Sequence, residues 1–535
     1  MSKNKKNKKS QNKESKKNDS QPIYLKYWRI LFFLLILIVY GQTINFDFVH
    51  LDDTKIIVDN HDKIFSLANL PAAFTTQYGF DQGSPYYRPI ILISFIIDSQ
   101  FSGLNPVFYH ISNLIFHYLS VYFLFLLLIE LKISKQVSLF LTIIFAIHPV
   151  LTNAVVWIAG RNDILVGLFS ILSFLYLVRY FANQSNKNFG LHAIFFLMAI
   201  LSKEVALILP VLFLVYFFFY HRNEFKLNYL YKFLVLWVVS IILFQVVKSN
   251  VITEIGNLTY GIPAILNNIQ VIPEIFYKIF IPINISVLPT LTITKSIIGS
   301  AFFLIVLLMP LVQRSINKKN YYFGVIWFLI FVIPGLAIYY ADQSSKFDYL
   351  DSRIYLPFIG LLIVLNEILK DFEIDLLRKK QLYIFIGAII LFSGLTFIQS
   401  KKYSDAVTFA ESAVLSNPQK PFFYHKLADY YFEMKDFRKA IYYIRTAIEL
   451  DSKNPIYYKN LILAYSKLNE YDNALNSIFD ALKISPNNLE LIRGLMVIYY
   501  KKGDYKNALI YADKYASLGG GVDKNFYEQL KSKVN

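Results

Sequence analysis

The segment YWRILFFLLILIVYGQTINFDFVHLDDT, residues 27–54, joins a predominantly apolar run to an acidic pair. The apolar run, residues 27–42, is nearly long enough to cross about 30 Å of membrane hydrocarbon as a helix. The tail before it carries eight lysines between positions 3 and 17, and a basic flank of this kind stays in the cytoplasm. The pair Asp52 and Asp53 is therefore predicted to emerge at the opposite membrane surface.

The composition indicates a polytopic membrane protein. Of the 535 residues, 55% are hydrophobic and only 17% are charged, a balance that a soluble domain of this size would not need. The net charge of +17 is concentrated in the N-terminal tail, which is predicted to be disordered and to touch anionic membrane lipid, so no nucleic-acid partner is expected. The sequence has no cysteine, which excludes disulfides and thiolate metal sites.

The apolar runs predict about eleven membrane-spanning helices. Basic clusters fall in every second connection, which is the charge distribution of cytoplasmic loops, and the odd count places the C-terminus on the side of Asp52 and Asp53. The runs at 137–150 and 191–201 are short for a span. The predicted spans are residues 27–42, 106–129, 137–150, 163–181, 191–201, 205–220, 230–247, 297–312, 322–340, 354–369 and 382–399.

Two further apolar segments are predicted to lie in the outer membrane interface. Residues 89–101 are too few to cross and follow the turn-rich segment 78–87. Residues 263–280 carry polar side chains among apolar ones. Both patterns are typical of helices that lie along the membrane surface.

From residue 403 onward the sequence changes to soluble, amphipathic helices with a 34-residue period. Small residues recur at Ala440, Ala474 and Ala508 between large aromatic and aliphatic ones. This pattern resembles tetratricopeptide repeats, in which small residues allow neighbouring helices to pack closely. Counting back one period makes the last membrane span the first helix of an earlier repeat, with Gly394 at its small position, and predicts a rigid connection.

The predicted fold class is all-α, a polytopic helical membrane domain followed by a C-terminal tetratricopeptide-repeat solenoid. The predicted divisions are a disordered polybasic cytoplasmic tail at 1–22, a membrane domain at 23–400 and a repeat domain at 401–535. The parity of the spans places the repeats on the outer, extracytoplasmic side.

Groups of polar residues interrupt the apolar runs on this outer side. Polar side chains are costly at membrane depth, so each group is a candidate for a functional site. In addition to the acidic pair, the candidate residues are Arg88, His148, Arg161, Asp163, Lys203, Glu204, Arg353 and Tyr355.

Each group also has a simpler alternative. Adjacent aspartates are common in solvated turns, and His148 suits an ordinary interfacial position. Arg161 and Asp163 suit the end of a helix, and Lys203 could neutralise Glu204 within a tight turn. The other two arginines could anchor their segments at the interface.

The groups taken together place two carboxylates and several cations on one face, which suits a phosphate-linked lipid substrate. The cations would stabilise a leaving phosphate, and a carboxylate would take a proton. The sequence lacks a Walker-type glycine loop, H-E-x-x-H and G-x-S-x-G, so nucleotide-driven pumping, zinc proteolysis and serine hydrolysis are poorly supported.

Several motifs recur in a characteristic order before the repeats. They are FVHLDD (48–53), YYRP (86–89), LNPVFYHISNLIFH (104–117), HPVLTNAVVWIAGRND (148–163), SKE (202–204) and SRIYLPFIG (352–360). This series resembles the transmembrane and tetratricopeptide-repeat family of protein O-mannosyltransferases and their bacterial relatives. The segment 148–163 is its most specific part. Residues 284–288, NISVL, depart from the family, whose members often carry an aspartate followed by an aromatic residue in this loop.

The resemblance implies a membrane glycosyltransferase of the C superfamily, which uses a polyprenyl-phosphate sugar, mannose-like, to glycosylate Ser or Thr of exported proteins. The family's acidic pair maps onto Asp52 and Asp53, and its G-R-x-D element maps onto Arg161. One aspartate would take the proton of the acceptor hydroxyl, and the other would bind sugar hydroxyls or a divalent metal. The residues expected to bind the donor phosphate are Arg88, Arg161, Lys203 and Arg353, and those expected to contact the substrates are His148, Asp163, Glu204 and Tyr355.

Other classes of protein remain open at this stage. A non-enzymatic membrane scaffold could recruit partners through its repeats, and an O-antigen ligase or polymerase also joins many spans to repeats. A transporter is less favoured because charged residues are missing from the middle of the spans. The expected partners are the lipid donor and an acceptor protein or peptide bound by the repeats. The richness in Lys, Asn and Ile favours a prokaryotic plasma membrane over the endoplasmic reticulum.

Overall fold

A computed structural model gives the structure of the protein and describes residues 26–49, 51–80, 84–222, 227–252, 258–340, 349–372 and 378–534. The predicted tail, residues 1–22, lies outside these residues, and so does His50 of the segment 46–59, which carries the acidic pair and is called the acidic loop here. The described chain is helical apart from two short antiparallel strands, β1 (Leu258–Tyr260) and β2 (Ile338–Tyr340), in which Leu258 lies opposite Tyr340. The predicted all-α class is confirmed.

Sixteen of the α-helices precede the repeats in the described chain. Their bounds are α1 Trp28–Tyr40, α2 His61–Ile64, α3 Pro89–Ser102, α4 Val107–Glu130, α5 Lys135–Ile147, α6 Thr152–Val156, α7 Arg161–Asn183, α8 Asn186–Ser202, α9 Leu209–Tyr220, α10 Leu227–Val251, α11 Ile262–Asn268, α12 Val271–Phe280, α13 Ile293–Val312, α14 Lys318–Leu336, α15 Tyr355–Ile368 and α16 Lys379–Lys401.

The number of spans is lower than the sequence predicts. In the described residues, eight helices are long and apolar enough to cross a membrane, or nine if α5 and Pro149–Val156, bent by 48°, form one broken span. The other two predicted spans correspond to α8, which has 17 residues, and to the segment Glu204–Tyr220. Both are helical but fall short of the length of a full span, so eight or nine of the roughly eleven predicted spans meet this criterion.

The polar contacts at the two ends of α7 mark the two ends of the membrane domain, which are called the outer end and the inner end here after the side that the sequence predicts for each. Asp163, in the first turn of α7, accepts a hydrogen bond from Lys203 Nζ at 2.6 Å at the outer end. Near the other terminus of α7, Arg179 Nε donates to Glu130 Oε1 at 2.9 Å. Because Glu130 ends α4 and α8 returns along α7, neighbouring helices alternate in direction, as the basic clusters predict.

Helix α7 lies at the centre of the membrane domain, with 89% of its apolar window buried. A Cβ on Gly167 would lie 2.6 Å from a ring carbon of Tyr355, so glycine allows α15 to pack on α7. Helices α14 and α15 cross where a Cβ on Gly324 would lie 2.6 Å from the carbonyl oxygen of Gly360. These close approaches hold the outer ends of α7 and α15 in fixed relative positions.

The two predicted interfacial segments are both helical. Residues 89–101 correspond to α3, whereas residues 263–280 form two helices, α11 and α12, instead of one. Lys278 of α12 donates to Asp351 Oδ1 at 2.7 Å, and Asp351 begins the 3₁₀ turn that precedes α15. The contact connects the second interfacial segment to the outer end of the membrane domain.

The repeat domain consists of paired antiparallel helices. The small residues Ala440, Ala474 and Ala508 are fully buried, as the repeat pattern requires. The expected role of Gly394 is not supported, because a Cβ there would meet nothing within 4 Å. The helices are α17 Ala406–Ser416, α18 Pro421–Glu433, α19 Phe437–Leu450, α20 Pro455–Lys467, α21 Tyr471–Ile484, α22 Leu489–Lys502, α23 Tyr505–Ser517 and α24 Lys524–Val534.

The connection between the two domains depends on hydrogen bonds at the end of α16 rather than on a helix pair at Gly394. Asn153 Nδ2 donates to the hydroxyl of Tyr403 at 2.8 Å, and Tyr403 is buried. Asp47 N donates to Ser404 O at 2.8 Å, which joins the loop after α1 to the start of the repeats. The first repeat helices therefore lie next to the segment that carries the acidic pair.

Candidate active site

The two adjacent aspartates have different surroundings. Asp53 is 1% exposed, and its two carboxylate oxygens accept hydrogen bonds from Ala159 N at 3.0 Å and Val49 N at 3.2 Å. Asp52 is exposed. Leu51, with φ of 89°, directly precedes the pair, and the helical turn Thr54–Val58 follows it. Asp53 thus fixes the acidic loop to the segment before α7, and Asp52 is left accessible.

Burial raises the pKa values of the two aspartates, and nearby positive charges and hydrogen bonds lower them. Burial by the surrounding protein raises the pKa of Asp52, although the residue as a whole is exposed, and the positive charges of Arg88 and Lys55 lower the pKa. Burial raises the pKa of Asp53 further, and the hydrogen bond from Ala159 opposes this effect. Arg88 is therefore within electrostatic reach of Asp52.

A cavity of about 220 Å³ lies at the outer end of the membrane domain and is called the membrane cavity here. Charged side chains line part of its wall, and apolar side chains line the rest. The charged residues are Arg88, Asp163, Lys203, Glu204, Lys248 and Arg353, and the apolar ones include Val166, Val205, Phe331, Pro334, Leu356 and Pro357.

Five of the predicted site residues are brought together in this wall, but with unexpected partners. Lys203 does not pair with its neighbour Glu204, because Lys203 bonds Asp163 across from α8 to α7. Glu204 instead accepts two hydrogen bonds from Arg88, from Nε at 3.1 Å and Nη2 at 3.0 Å. The alternative of a self-neutralised Lys203–Glu204 pair is therefore wrong. Arg353 is the fifth predicted site residue in the wall of the membrane cavity.

Two cations of the membrane cavity have no carboxylate within ion-pair distance among the described residues. Arg353 donates to Gly335 O at 3.1 Å and lies 5.4 Å from the ring centroid of Tyr349. Lys248 is near the end of α10 and was not selected from the sequence, in which it looks like an ordinary lysine after a span. Only the return of α10 to the outer end shows that Lys248 faces the cavity.

Arg161 is enclosed, contrary to its expected role in binding the donor. Its side chain is 0% exposed and forms a 2.5 Å ion pair with Asp98 of α3. Its other nitrogens donate to Asn113 Oδ1 at 2.7 Å and Tyr109 O at 2.7 Å. Because the guanidinium is saturated by protein groups, it connects α3, α4 and α7 and does not reach the membrane cavity.

His148 and Tyr355 are also buried away from the cavity. His148 Nε2 lies 3.1 Å from Ile279 O, and Nδ1 accepts a hydrogen bond from Val150 N at 3.2 Å. The hydroxyl of Tyr355 lies 2.8 Å from Nδ1 of His117. The contacts predicted between these two residues and the substrates do not follow from this geometry.

A second, larger cavity of about 660 Å³ lies between the acidic loop and the repeats and is called the repeat groove here. The loop contributes Leu51, Asp52, Thr54, Lys55 and Asp59, and Trp157 also lines the groove. The repeats contribute, among others, Phe422, Lys426, Asp429, Phe432, Glu433 and Asn460. Asp52 therefore lies in the wall of the repeat groove and within the electrostatic field of Arg88, a residue of the membrane cavity.

Few side chains near the acidic pair could bind a metal ion. In the described part of the chain, no group of three or more His, Cys, Asp or Glu side chains is placed to hold a metal ion. Asp53, the neighbour of Asp52, already has both oxygens bonded to backbone N–H groups.

Two known families match separate segments of the chain. Residues 102–248 match the family described as dolichyl-phosphate-mannose-protein mannosyltransferase. Residues 399–481 match the family described as anaphase-promoting complex, cyclosome, subunit 3. The first match covers α4 to α9 and most of α10, including Asp163, Lys203 and Lys248, and the second covers the first repeats.

Three curated relatives illustrate the similarity to individual proteins. Protein O-mannosyl-transferase TMTC1 of Homo sapiens is 32% identical over 142 residues, 25% of this chain and 16% of the relative. Tmtc1 of Drosophila melanogaster is 31% identical over 177 residues, 32% of this chain and 20% of the relative. TMTC4 of Mus musculus is 29% identical over 195 residues, 32% of this chain and 26% of the relative. The matched part thus spans about a quarter or less of each relative's length.

Proposed function

We propose a function on the premise that the chain belongs to the tetratricopeptide-repeat family of protein O-mannosyltransferases. The chain would be a membrane glycosyltransferase that moves a mannose-like sugar from a polyprenyl-phosphate donor to Ser or Thr of a protein. The observation that carries this proposal is the position of Asp52, in the wall of the repeat groove and within electrostatic reach of Arg88 in the membrane cavity. A base in this position can serve two substrates that arrive from different cavities.

The membrane cavity has the properties that a lipid phosphate requires. Its charged residues include four cations and two carboxylates, which leaves an excess of positive charge for a phosphate. Arg353 and Lys248 are the cations without a carboxylate partner in the described chain, and Arg88 is held in place by Glu204. The apolar part of the wall would contact the first isoprene units of the donor.

The transfer step follows from these positions. The carboxylate of Asp52 takes the proton of the acceptor hydroxyl as the hydroxyl oxygen attacks the anomeric carbon. The bond between that carbon and the phosphate oxygen breaks, and the electron pair stays on the phosphate. Arg88, Arg353 and Lys248 stabilise the charge that develops there. Asp53 acts as a positioning residue, because its hydrogen bond to Ala159 N fixes the loop that carries Asp52.

The repeats would bind the acceptor protein. Tetratricopeptide helices are interaction modules, and helices α18 and α20 of this chain line the same groove as Asp52. The acceptor hydroxyl would be exposed at the surface of the membrane on the outer, extracytoplasmic side. The relatives quoted above are animal proteins, so they give no support to a prokaryotic plasma membrane, an expectation that rests on composition alone.

The test is transfer by the purified full-length protein in lipid nanodiscs. Polyprenyl-phosphate mannose and a Ser/Thr-rich peptide are supplied, and glycopeptide is measured by mass spectrometry. Glycopeptide formation that needs Asp52 is the expected result. A scaffold would give neither glycopeptide nor donor hydrolysis with any polyprenyl-phosphate sugar. A ligase of the O-antigen type would use only lipid-diphosphate donors, and either outcome would overturn the proposal.

A further inference from the structure

The repeat groove has two unlike walls. One wall is the acidic loop, which contributes Asp52, Lys55 and Asp59. The opposite wall is formed by α18 and α20, the first helices of two successive repeats. First helices line the inner surface of a tetratricopeptide superhelix, which is where such repeats hold extended chains.

Carboxylates outnumber ammonium groups in this groove. Asp52, Asp59, Asp429 and Glu433 face two lysines, Lys55 and Lys426. Lys426 Nζ already lies 3.4 Å from Asp429 Oδ2, so its charge is shared within the wall. Asp52, Asp59 and Glu433 are exposed, and a ligand in the groove would meet their charge.

Two carboxylates on the repeat side of the groove lie close enough to Tyr430 to raise its pKa. Burial raises the pKa of Tyr430, and the negative charges of Asp429, Glu433 and Asp53 raise it further. Tyr430 belongs to α18, whereas Asp53 belongs to the acidic loop. The negative charge of the buried Asp53, which does not line the groove, therefore adds to that of the repeat wall at Tyr430.

Aromatic side chains add an apolar surface to the groove. Phe422 and Phe432 contribute from α18, and Trp157 contributes from the segment before α7. A volume of about 660 Å³ between such walls admits a short run of residues in extended conformation. A folded helix with its side chains is about 10 Å wide and would fill the space less well.

From this geometry we propose that the repeat groove selects extended polypeptide segments that carry Lys or Arg beside the Ser or Thr to be glycosylated. The inference rests on the proposed function and specifies its acceptor. The basic side chains pair with Asp59 and Glu433 at the two walls, and the hydroxyl between them is presented to Asp52. An acidic acceptor meets like charges and enters the groove less often.

The test compares two synthetic acceptor peptides that share one central Thr, one flanked by Lys and the other by Glu. Initial rates are measured with the nanodisc-embedded full-length protein and polyprenyl-phosphate mannose. We expect kcat/KM to be about tenfold higher for the Lys peptide, and the ratio to shrink as salt is added. Asp59→Lys and Glu433→Lys should each reduce the ratio roughly three- to fivefold, which is the range for one exposed charge pair.

Matched controls change the same charge outside the groove. The control substitutions are Asp62→Lys and Asp480→Lys. Asp62 lies on α2, just after the acidic loop, with its side chain 90% exposed, and Asp480 lies on α21 with its side chain 55% exposed. Both should leave the peptide ratio unchanged. Asp62→Lys and Asp480→Lys should hydrolyse the donor without acceptor at the wild-type rate, and thermal unfolding in the same nanodiscs shows whether Asp59→Lys and Glu433→Lys are folded.

The outcomes separate this inference from the proposed function. Equal rates for the two peptides, or controls that shift the ratio as much as Asp59→Lys, would overturn the acidic-groove inference and leave the transferase intact. Failure to transfer sugar to either peptide or to hydrolyse the donor would instead overturn the proposed function.

Discussion

Arg88 and Glu204 are joined by two hydrogen bonds at the membrane cavity, from Nε at 3.1 Å and Nη2 at 3.0 Å to the same carboxylate oxygen. The pair connects the residue before α3 to the break between α8 and α9. Tyr78 and Tyr86 also pack against the guanidinium, at 5.2 and 4.2 Å from their ring centroids. Arg88 is therefore held in one orientation before any ligand arrives.

This arrangement predicts that Arg88→Lys weakens donor binding although the charge is kept. A lysine cannot form the two bonds to Glu204, so the cation would no longer be fixed beside the phosphate. We expect KM for polyprenyl-phosphate mannose to rise about tenfold, equivalent to about 1.4 kcal/mol. Arg179→Lys is the matched control, because it makes the same change at the inner end. An unchanged donor KM in Arg88→Lys would contradict the role of Arg88.

Asp52→Asn is predicted to remove activity without unfolding the protein. The side chain is exposed, so its stability effect should stay within about 0.5 kcal/mol. Loss of a positioned base should lower kcat by about 10²- to 10⁴-fold. Steady-state kinetics and thermal unfolding in the same nanodiscs measure the two effects. Wild-type kcat in Asp52→Asn would rule out the assignment of Asp52 as the base.

Asp53→Asn should act mainly on stability. Both carboxylate oxygens of Asp53 accept backbone N–H groups, and an amide places its own N–H₂ against one of them. One buried hydrogen bond is lost, which costs about 1–3 kcal/mol in the free energy of unfolding. Thermal unfolding should show the loss, and kcat should fall less than in Asp52→Asn. A variant as stable as wild type but fully inactive would indicate direct participation of Asp53 in catalysis.

The pH dependence of the reaction follows from the surroundings of Asp52. Burial raises its pKa, so the base becomes protonated, and kcat/KM falls, at a pH above the ordinary titration range of an exposed aspartate. Arg88 lowers that pKa, so Arg88→Ala should move the acidic limb of the profile to higher pH. The residual activity of Asp52→Asn should lack this limb. A limb unchanged in both variants would belong to another group.

The sequence predicts the elements of this protein better than their contacts. Apolar runs and the 34-residue period depend on local periodicity, so α1, α4, α16 and the repeat helices are found where they are expected. The excess in the span count comes from α8 and α9. The apolar run in α8, residues 191–201, is short for a span, and α9 is apolar throughout but has only 12 residues.

The sequence predicts only part of the site, because the residues of the site come from distant segments. Arg88, Lys203 and Arg353 interrupt apolar runs, which marks them as candidates, and the fold brings them to one cavity. The same criterion also selected Arg161 and His148, which the fold uses inside the protein. Which of these groups remains accessible depends on partners such as Asp98 and the carbonyl of Ile279, and no local pattern shows them.

The last prediction concerns the side of the membrane on which the repeats lie. The protein has no native cysteine, so one introduced thiol reports one position. Lys467→Cys, exposed on α20, should react with a membrane-impermeant maleimide from the outer, extracytoplasmic side. Lys318→Cys, exposed at the start of α14, is the control at the inner end and should react only after the membrane is opened.

The basic residues Arg314, Lys318 and Lys319 favour that inner position, because basic loops stay in the cytoplasm. Labelling of Lys318→Cys but not Lys467→Cys in sealed cells would invert the orientation and place Asp52 and the repeat groove in the cytoplasm, where no exported acceptor could reach them.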